Sequence, residues 1–299
     1  MTTEDPATTA LDHARTAAGV LTTRLSGGVT AYRVHGDHGP WVVLVHGLVT
    51  PMYAWQLLAD ALAHAGFRVL RYDQLGRGLS DRPAVRYDLD LYVRQLDELT
   101  RALHIERAHF VGWSIGSVIT SRFALASPDR VEKHVLIAPG MFIEPPLLVR
   151  ALAHAPFGPK ILASRAAAFI DALPAQHMSR PERFPMYVEG MREQLRYPGL
   201  AESFASTILN YPWRSGPEFR PVGEHPRPTL LIWGDADPAT PYANVRRVRA
   251  VFPRAELLRF PGARHAPHVE RPREVNDAIT RFLAAEPATD DAGPAAAAL

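Results

Sequence analysis

Three short stretches carry residue types that can do acyl-transfer chemistry. "VGWSIGS" sets Ser114 between Gly112 and Gly116, "GDADP" holds Asp235 and Asp237, and "GARHAPHVERP" holds His265 and His268. A serine hydroxyl of ordinary acidity is a weak nucleophile until a base takes its proton, and the base in turn needs an acid to fix its tautomer. The chain order serine, aspartate, histidine, each just after an apolar run, is the order of a strand-to-helix nucleophile elbow. Other triad folds use different orders.

The glycines beside Ser114 are what a sharp strand-to-helix reversal requires, because strand and helix must approach closely there. Such a turn lifts the hydroxyl clear of the sheet. It also puts the Ile115 amide at a helix N-terminus, where it can serve as one half of an oxyanion site. The other half is expected from "LVHGLVTP", with the Leu48 amide turned towards Ser114. His46 in that loop is expected to fix the loop by hydrogen bonding, and it joins the candidates for the pocket. Either Asp235 or Asp237 could orient His265, the other capping the turn before Pro238 and Pro241. His268 is read as a surface or capping residue. The His-x-x-His spacing lacks a third ligand, so no metal and no cofactor is expected.

Positioning these residues takes a sheet. "WVVLVHG", "FRVLRYD", "AHFVGWS", "VEKHVLIAPG", "PTLLIWGDAD" and "AELLRFPGA" are short apolar runs ending in turn or polar residues, as buried parallel strands do. The intervening segments are helical. "YAWQLLADALAHAG" puts Trp55, Leu58, Ala59 and Leu62 on one face and ends at Gly66, while Leu89, Val93, Leu96 and Leu99, then Val275, Ile279 and Phe282, recur at helical spacing. Alternation of this kind predicts an α/β fold: a mostly parallel central sheet with helices on both faces. The stretch 141–228 breaks the pattern with Pro-punctuated helical pieces, too long and too apolar for a loop, and is read as an inserted helical lid. Core then spans 21–140 and 229–284. Residues 1–20 are expected to be a poorly ordered arm and 285–299 a disordered tail.

The 299 residues are 47% hydrophobic and 21% charged, enough apolar material for a large core. Lys and Arg number 33 against 31 Asp and Glu, a net charge of +2 with the cations scattered, so nucleic acid is not an expected partner. There is no cysteine, which excludes disulfides, thiolate metal sites and a cysteine nucleophile. No signal pattern opens the chain and no apolar run approaches the roughly 20 residues that cross a bilayer. A cytoplasmic monomer or homodimer without stable membrane insertion, acting on a small molecule, is the expectation.

With these motifs in view, the chain resembles the α/β-hydrolase superfamily, particularly lid-bearing bacterial serine hydrolases related to monoacylglycerol-lipase-like esterases. The resemblance runs from about Leu25 to Ala284 on "LVHGLVTPMYAW", "FRVLRYDQLGRGLSDRP", "VGWSIGS", "LLIWGDADPATP" and "PGARHAPHVERP", in the family's order. It implies the α/β-hydrolase fold, Ser114 as nucleophile, His265 as base and, as the last residue of Gly-x-x-Asp, Asp237 as the acid. Asp73, Gly76 and Gly78 match the bend after the fourth strand and are expected to shape the site wall. The chain departs from the family at Ser117, usually Gly or Ala, and at Arg264, usually Gly. Relatives with an aspartate nucleophile, dehalogenases and epoxide hydrolases, are disfavoured by Ser114.

The expected reaction is hydrolysis of a carboxylic ester, lactone or thioester of a small, largely apolar substrate through an acyl-enzyme. C–C cleavage, perhydrolysis, elimination or cyclisation with the same triad is the alternative, and a receptor that only binds is a third reading. Trp113, His46, Tyr187 and Tyr211 are the candidates for the pocket, with Tyr197 and Trp213 behind them. Leu147, Leu148, Leu152, Phe157 and Ile161 give the lid its apolar character.

Overall fold

The structure, a computed structural model, describes residues 6–143, 146–153 and 155–286. Eight strands form one sheet: β1 (Leu21–Leu25), β2 (Gly28–His35), β3 (Trp41–Val45), β4 (Arg68–Tyr72), β5 (Ala108–Trp113), β6 (Val131–Ile137), β7 (Thr229–Gly234) and β8 (Glu256–Phe260). Their spatial order is β1-β2-β4-β3-β5-β6-β7-β8. The first two pairings, β1 with β2 and β2 with β4, are antiparallel and the rest are parallel. The mostly parallel sheet is what the strand-helix alternation predicts, and its strand order is that of the α/β-hydrolase fold implied by the resemblance.

The apolar runs become strands because both faces of the sheet are covered: every residue of β5 and of β7 is buried. Outside the sheet lie α1 (Pro6–Ala18), α2 (Gln56–His64), α3 (Leu89–Ala102) and α4 (Ile115–Ala126). In α3 the buried face is Leu91, Tyr92, Gln95, Leu96 and Leu99. Asp88 caps that helix, accepting from the Leu91 amide at 3.0 Å. Between β6 and β7 come α5 (Leu147–Ala153), α6 (Gly158–Ser164), α7 (Ala166–His177), α8 (Pro185–Glu193), α9 (Leu200–Asn210) and the short α10 (Arg220–Glu224), with no strand among the described residues. After β7 follow α11 (Val245–Val251), α12 (Pro267–Glu270) and α13 (Pro272–Ala284), the last burying Val275, Ile279 and Leu283, while Phe282 is only partly buried.

Two boundaries differ from the sequence reading. Residues 6–18 of the expected loose arm are helical. Leu11 is buried, and the Arg15 guanidinium donates to the Leu79 carbonyl at 2.8 Å and pairs with Asp81 at 2.6 Å. A Thr/Ala-rich composition conceals this because one buried leucine and one arginine do the tethering. The inserted region also ends early, since α10 packs on α4 and α11 of the core. The remainder of the expected arm, and 287–299 of the expected tail, lie outside the described residues.

The order in which successive strands are added reverses at β3, which has β4 on one side and β5 on the other, both parallel to it. At such a switch point the loops leaving two adjacent strands diverge and open a crevice at the carboxyl edge of the sheet. The Val45–Gly112 pairing closes the β3–β5 ladder, so the Gly47–Leu48 loop and Ser114 emerge side by side.

Candidate active site

Ser114 joins β5 to α4 with φ 55° and ψ −118°, a left-handed conformation that a β-carbon resists. Its neighbours explain how it is held. The Ser114 amide donates to the Ile137 carbonyl on β6 at 2.9 Å. A β-carbon on Gly116 would run into the Val45 carbonyl, and one on Gly112 into the Gly116 carbonyl. Here the glycines are required by close approach. Ser117, the departure from the family pattern, turns its hydroxyl to the Gly112 carbonyl at 2.7 Å, so the added oxygen is satisfied inside the elbow.

His265 follows β8 in the loop before α12 and is buried. Its Nδ1 donates to Asp237 Oδ2 at 2.8 Å, and Asp237, whose side chain is fully buried, also accepts from the Thr240 hydroxyl at 2.6 Å and the Ala239 and Thr240 amides at 2.8 and 2.9 Å. Burial alone would push the Asp237 carboxyl up. The facing imidazole and the Thr240 donors outweigh it and hold the carboxyl below its usual range. Asp235 instead pairs with Arg259 at 2.6 Å and accepts from the Gly262 amide at 2.6 Å. The imidazole of His265 therefore meets Asp237 and not Asp235.

Ser114 and His265 open into one cavity of about 930 Å³ between the sheet edge and the inserted helices. Gly47, Leu48 and Trp113 line its inner part, and the Trp113 indole N–H donates to the His265 carbonyl at 2.8 Å. The Leu48 carbonyl is held by Arg77, a fully buried guanidinium that also reaches Ser203 at 2.8 Å and Thr207 at 3.0 Å on α9. Among the described residues no acceptor takes the Leu48 or the Ile115 amide.

Several expected wall residues stand elsewhere. His46 is buried outside the cavity. Its Nε2 accepts from the Gln74 amide at 2.9 Å, which leaves the Nδ1 hydrogen to donate to the Gly47 carbonyl at 2.7 Å. Burial brings its pKa down to about 3, so it is a neutral strut of the loop. Tyr187 is turned away, its hydroxyl hydrogen-bonded to His177 Nδ1 at 3.0 Å and Thr50 at 3.3 Å; Tyr211 donates to the Gly140 carbonyl at 2.7 Å. Neither lines the cavity, because each hydroxyl is committed to the protein. Tyr197 lies under Arg82, while Trp213 does line the cavity. Of the apolar lid residues, Leu148, Leu152 and Ile161 face it, whereas Leu147 and Phe157 are in solvent. Asp73 accepts from the Met52 and Leu79 amides at 2.7 and 2.8 Å and builds the turn behind the wall.

His268 is neither superficial nor a cap. It is buried against Trp55 and Trp113, ring centroids 4.5 and 4.7 Å away, and neither ring nitrogen has a partner. Arg264 points its guanidinium at the Ala175 carbonyl of α7. Among the described residues no cluster of three or more potential metal ligands exists.

Sequence reasoning missed His177 at the end of α7. It lines the cavity with its ring 5.5 Å from that of His265, while burial drives its pKa well down and keeps it neutral. Its only signal was a histidine closing a helix. Phe142, Phe169 and Phe204 were missed too, since nothing in a helical apolar pattern separates cavity walls from packing.

Residues 42–278 match the model of the alpha/beta hydrolase family. A Paraburkholderia xenovorans protein named 2-hydroxy-6-oxononadienedioate/2-hydroxy-6-oxononatrienedioate hydrolase is 30% identical over 85% of this chain and 90% of its own length. The enol-lactonase from Burkholderia xenovorans superposes with a TM-score of 0.75 at 26% identity, covering 88% of this chain and 99% of the other. A hydrolase from Pseudomonas aeruginosa gives a TM-score of 0.72 at 30% identity, covering 90% and 100%.

Proposed function

The chain belongs to the alpha/beta hydrolase family, and from that premise we propose that it is a serine hydrolase cleaving a carboxylic ester, lactone or thioester of a small, largely apolar substrate. The observation that carries this is the meeting of a strained Ser114 and an Asp237-anchored His265 in one cavity. His265 takes the Ser114 proton through the nitrogen not bonded to Asp237, and the serine oxygen attacks the carbonyl carbon. The Leu48 and Ile115 amides receive the developing oxyanion, each worth about 3–4 kcal/mol of barrier. His265 returns the proton to the leaving oxygen, and water then repeats the sequence on the acyl-enzyme to free the acid. Asp237 keeps the imidazole in the working tautomer and stabilises its charge. Thr240, bonded to Asp237, is a positioning residue.

The apolar lining from Leu148, Leu152, Phe169 and Phe204 supports an apolar body for the substrate. C–C cleavage with the same residues is the second reading, favoured by the relative whose name gives a keto acid as substrate. Placement among monoacylglycerol-lipase-like esterases is part of the proposal and calls for a preference for long acyl chains. The test is turnover of p-nitrophenyl acetate, butyrate and octanoate by wild type and Ser114→Ala, beside fluorophosphonate labelling. Turnover and labelling lost together in the variant support the serine mechanism. Labelling without ester turnover would move the chemistry to the second reading, and absence of both would leave a binding protein.

A further inference from the structure

Charge on the cavity wall is one-sided. Among its described lining residues, Arg165 and Arg247 carry formal charge and no aspartate or glutamate does. The two come from different parts of the chain, Arg165 from the junction of α6 and α7 and Arg247 from α11 of the core. Both are exposed, so their guanidinium groups stand where the cavity meets solvent, away from the buried His265. Neither has a carboxylate partner among the described residues, whereas Arg130, Arg192 and Arg259 each take one. Arg247 is nonetheless ordered: its guanidinium lies over the Phe142 ring, 4.4 Å from the centroid. Phe142 is buried and its carbonyl accepts from Asn244 at 3.0 Å. A guanidinium held over a ring by cation–π attraction does not spend its N–H donors on that contact, and a guanidinium can bind a carboxylate with two parallel hydrogen bonds.

We propose that the substrate carries a free carboxylate, separated from the scissile carbonyl by an apolar body, and that Arg247 and Arg165 receive it at the cavity mouth. This rests on the hydrolase reading and adds the charge of the substrate to it. The apolar wall takes the body, the two arginines fix which end points outward, and the carboxylate keeps its remaining hydration in solvent.

The test is a pair of esters equal in acyl length and unequal in charge: p-nitrophenyl octanoate and the mono-p-nitrophenyl ester of suberic acid. A second pair, phenyl acetate and 4-acetoxybenzoate, puts the carboxylate on the alcohol side. In one pair the anionic member is expected to have the higher kcat/KM at low ionic strength, the advantage shrinking in 0.5 M salt as screening sets in. Arg247→Gln and Arg165→Gln are each expected to cut the anionic-to-neutral ratio about 5–10-fold, mainly through KM, and Arg247→Lys to restore only part of it. The pair that responds identifies which side carries the charge. A neutral preference in both pairs, or ratios unchanged in the double glutamine variant, overturns the proposal. If no ester turns over and Ser114 is not labelled, the hydrolase reading fails separately. Suberate binding, followed by tryptophan fluorescence, then decides: dependence on the two arginines upholds the carboxylate site, and independence removes it.

Discussion

His268→Leu is expected to make the protein more resistant to acid. The imidazole is buried between Trp55 and Trp113 with neither nitrogen bonded, and burial, aided by the nearby His265, brings its pKa from an ordinary 6.5 to about 3. A pKa depressed in the folded state means that the unfolded chain binds the proton first. The native state therefore has its full advantage above pH 6.5 and loses it progressively as pH falls towards 3. At pH 5 the unfolded imidazole is about 1.5 pH units below its midpoint, a loss of ~2 kcal/mol for this residue. His46 and His134, likewise buried and brought to about 3, each contribute a similar amount. All three shifts have the same sign, so together they weaken the native state as pH falls below 6.5. Wild type should therefore lose stability on this account between pH 6.5 and 5, while Asp73, whose buried carboxyl is raised to about 6, acts in the opposite sense. Urea unfolding at pH 7.5, 6 and 5 reads the effect. The stability difference between variant and wild type should move by about 2 kcal/mol in the variant's favour between the first and last pH. Because any packing cost of leucine is the same at each pH, parallel pH dependences would refute the reasoning.

Asp237→Asn is expected to lower kcat about 10⁴-fold with little change in KM, since an amide would face its own N–H at His265 Nδ1 and favour the wrong tautomer; steady-state kinetics on the best ester checks this. Arg77→Met strips the Leu48 carbonyl, Ser203 and Thr207 of a buried donor, and should destabilise the fold in urea unfolding by about 1–3 kcal/mol for each acceptor left without a partner. Its kcat should also fall as the Leu48 amide loses its anchor, and an unchanged kcat would separate Arg77 from the oxyanion loop. Gly116→Ala places a methyl group against the Val45 carbonyl, so the elbow should not form; thermal unfolding and loss of fluorophosphonate labelling would report it together.

Much of this molecule is legible in its amino-acid sequence because its strands are buried on both faces. A fully buried strand needs an unbroken apolar run, so β3, β5 and β7 announce themselves, and the residues just beyond them fall at one edge of the sheet. The β1–β2 hairpin was invisible for the converse reason: at the exposed edge β1 reads Leu-Thr-Thr-Arg-Leu, with no apolar run, and only Ser26 and Gly27 mark the turn into β2. The pocket placements of His46, Tyr187 and Tyr211 failed, although His46 holds its loop as expected, because a polar residue in a motif looks the same in sequence whether its hydrogen bonds face a substrate or the protein. His268 has no hydrogen bonds at all, and a histidine sandwiched between indoles leaves no local pattern. The wall residues from the inserted helices were illegible because helical periodicity reports only that one face is apolar. It does not say whether that face meets another helix or a cavity.

The end of α7 and the loop carrying His265 are bound to one another at several points. The Ala266 amide donates to the His177 carbonyl at 2.9 Å, Arg264 holds the Ala175 carbonyl, and Glu270 accepts from the Ser179 amide at 2.8 Å and from the Arg264 amide at 2.8 Å. For anyone grafting the inserted helices of one hydrolase onto the core of another, this sets where the cut can be made. Exchanging the insert at the ends of β6 and β7 would sever the lattice around 175–179 from its complement at 264–270 and leave His265 on an unbraced loop. A transplantable unit from this chain comprises both segments, although β7 and β8 stand between them in the sequence. Chimeras that carry both should keep His265 in register, and those that carry only the insert should inherit a pocket in which the histidine is misaligned.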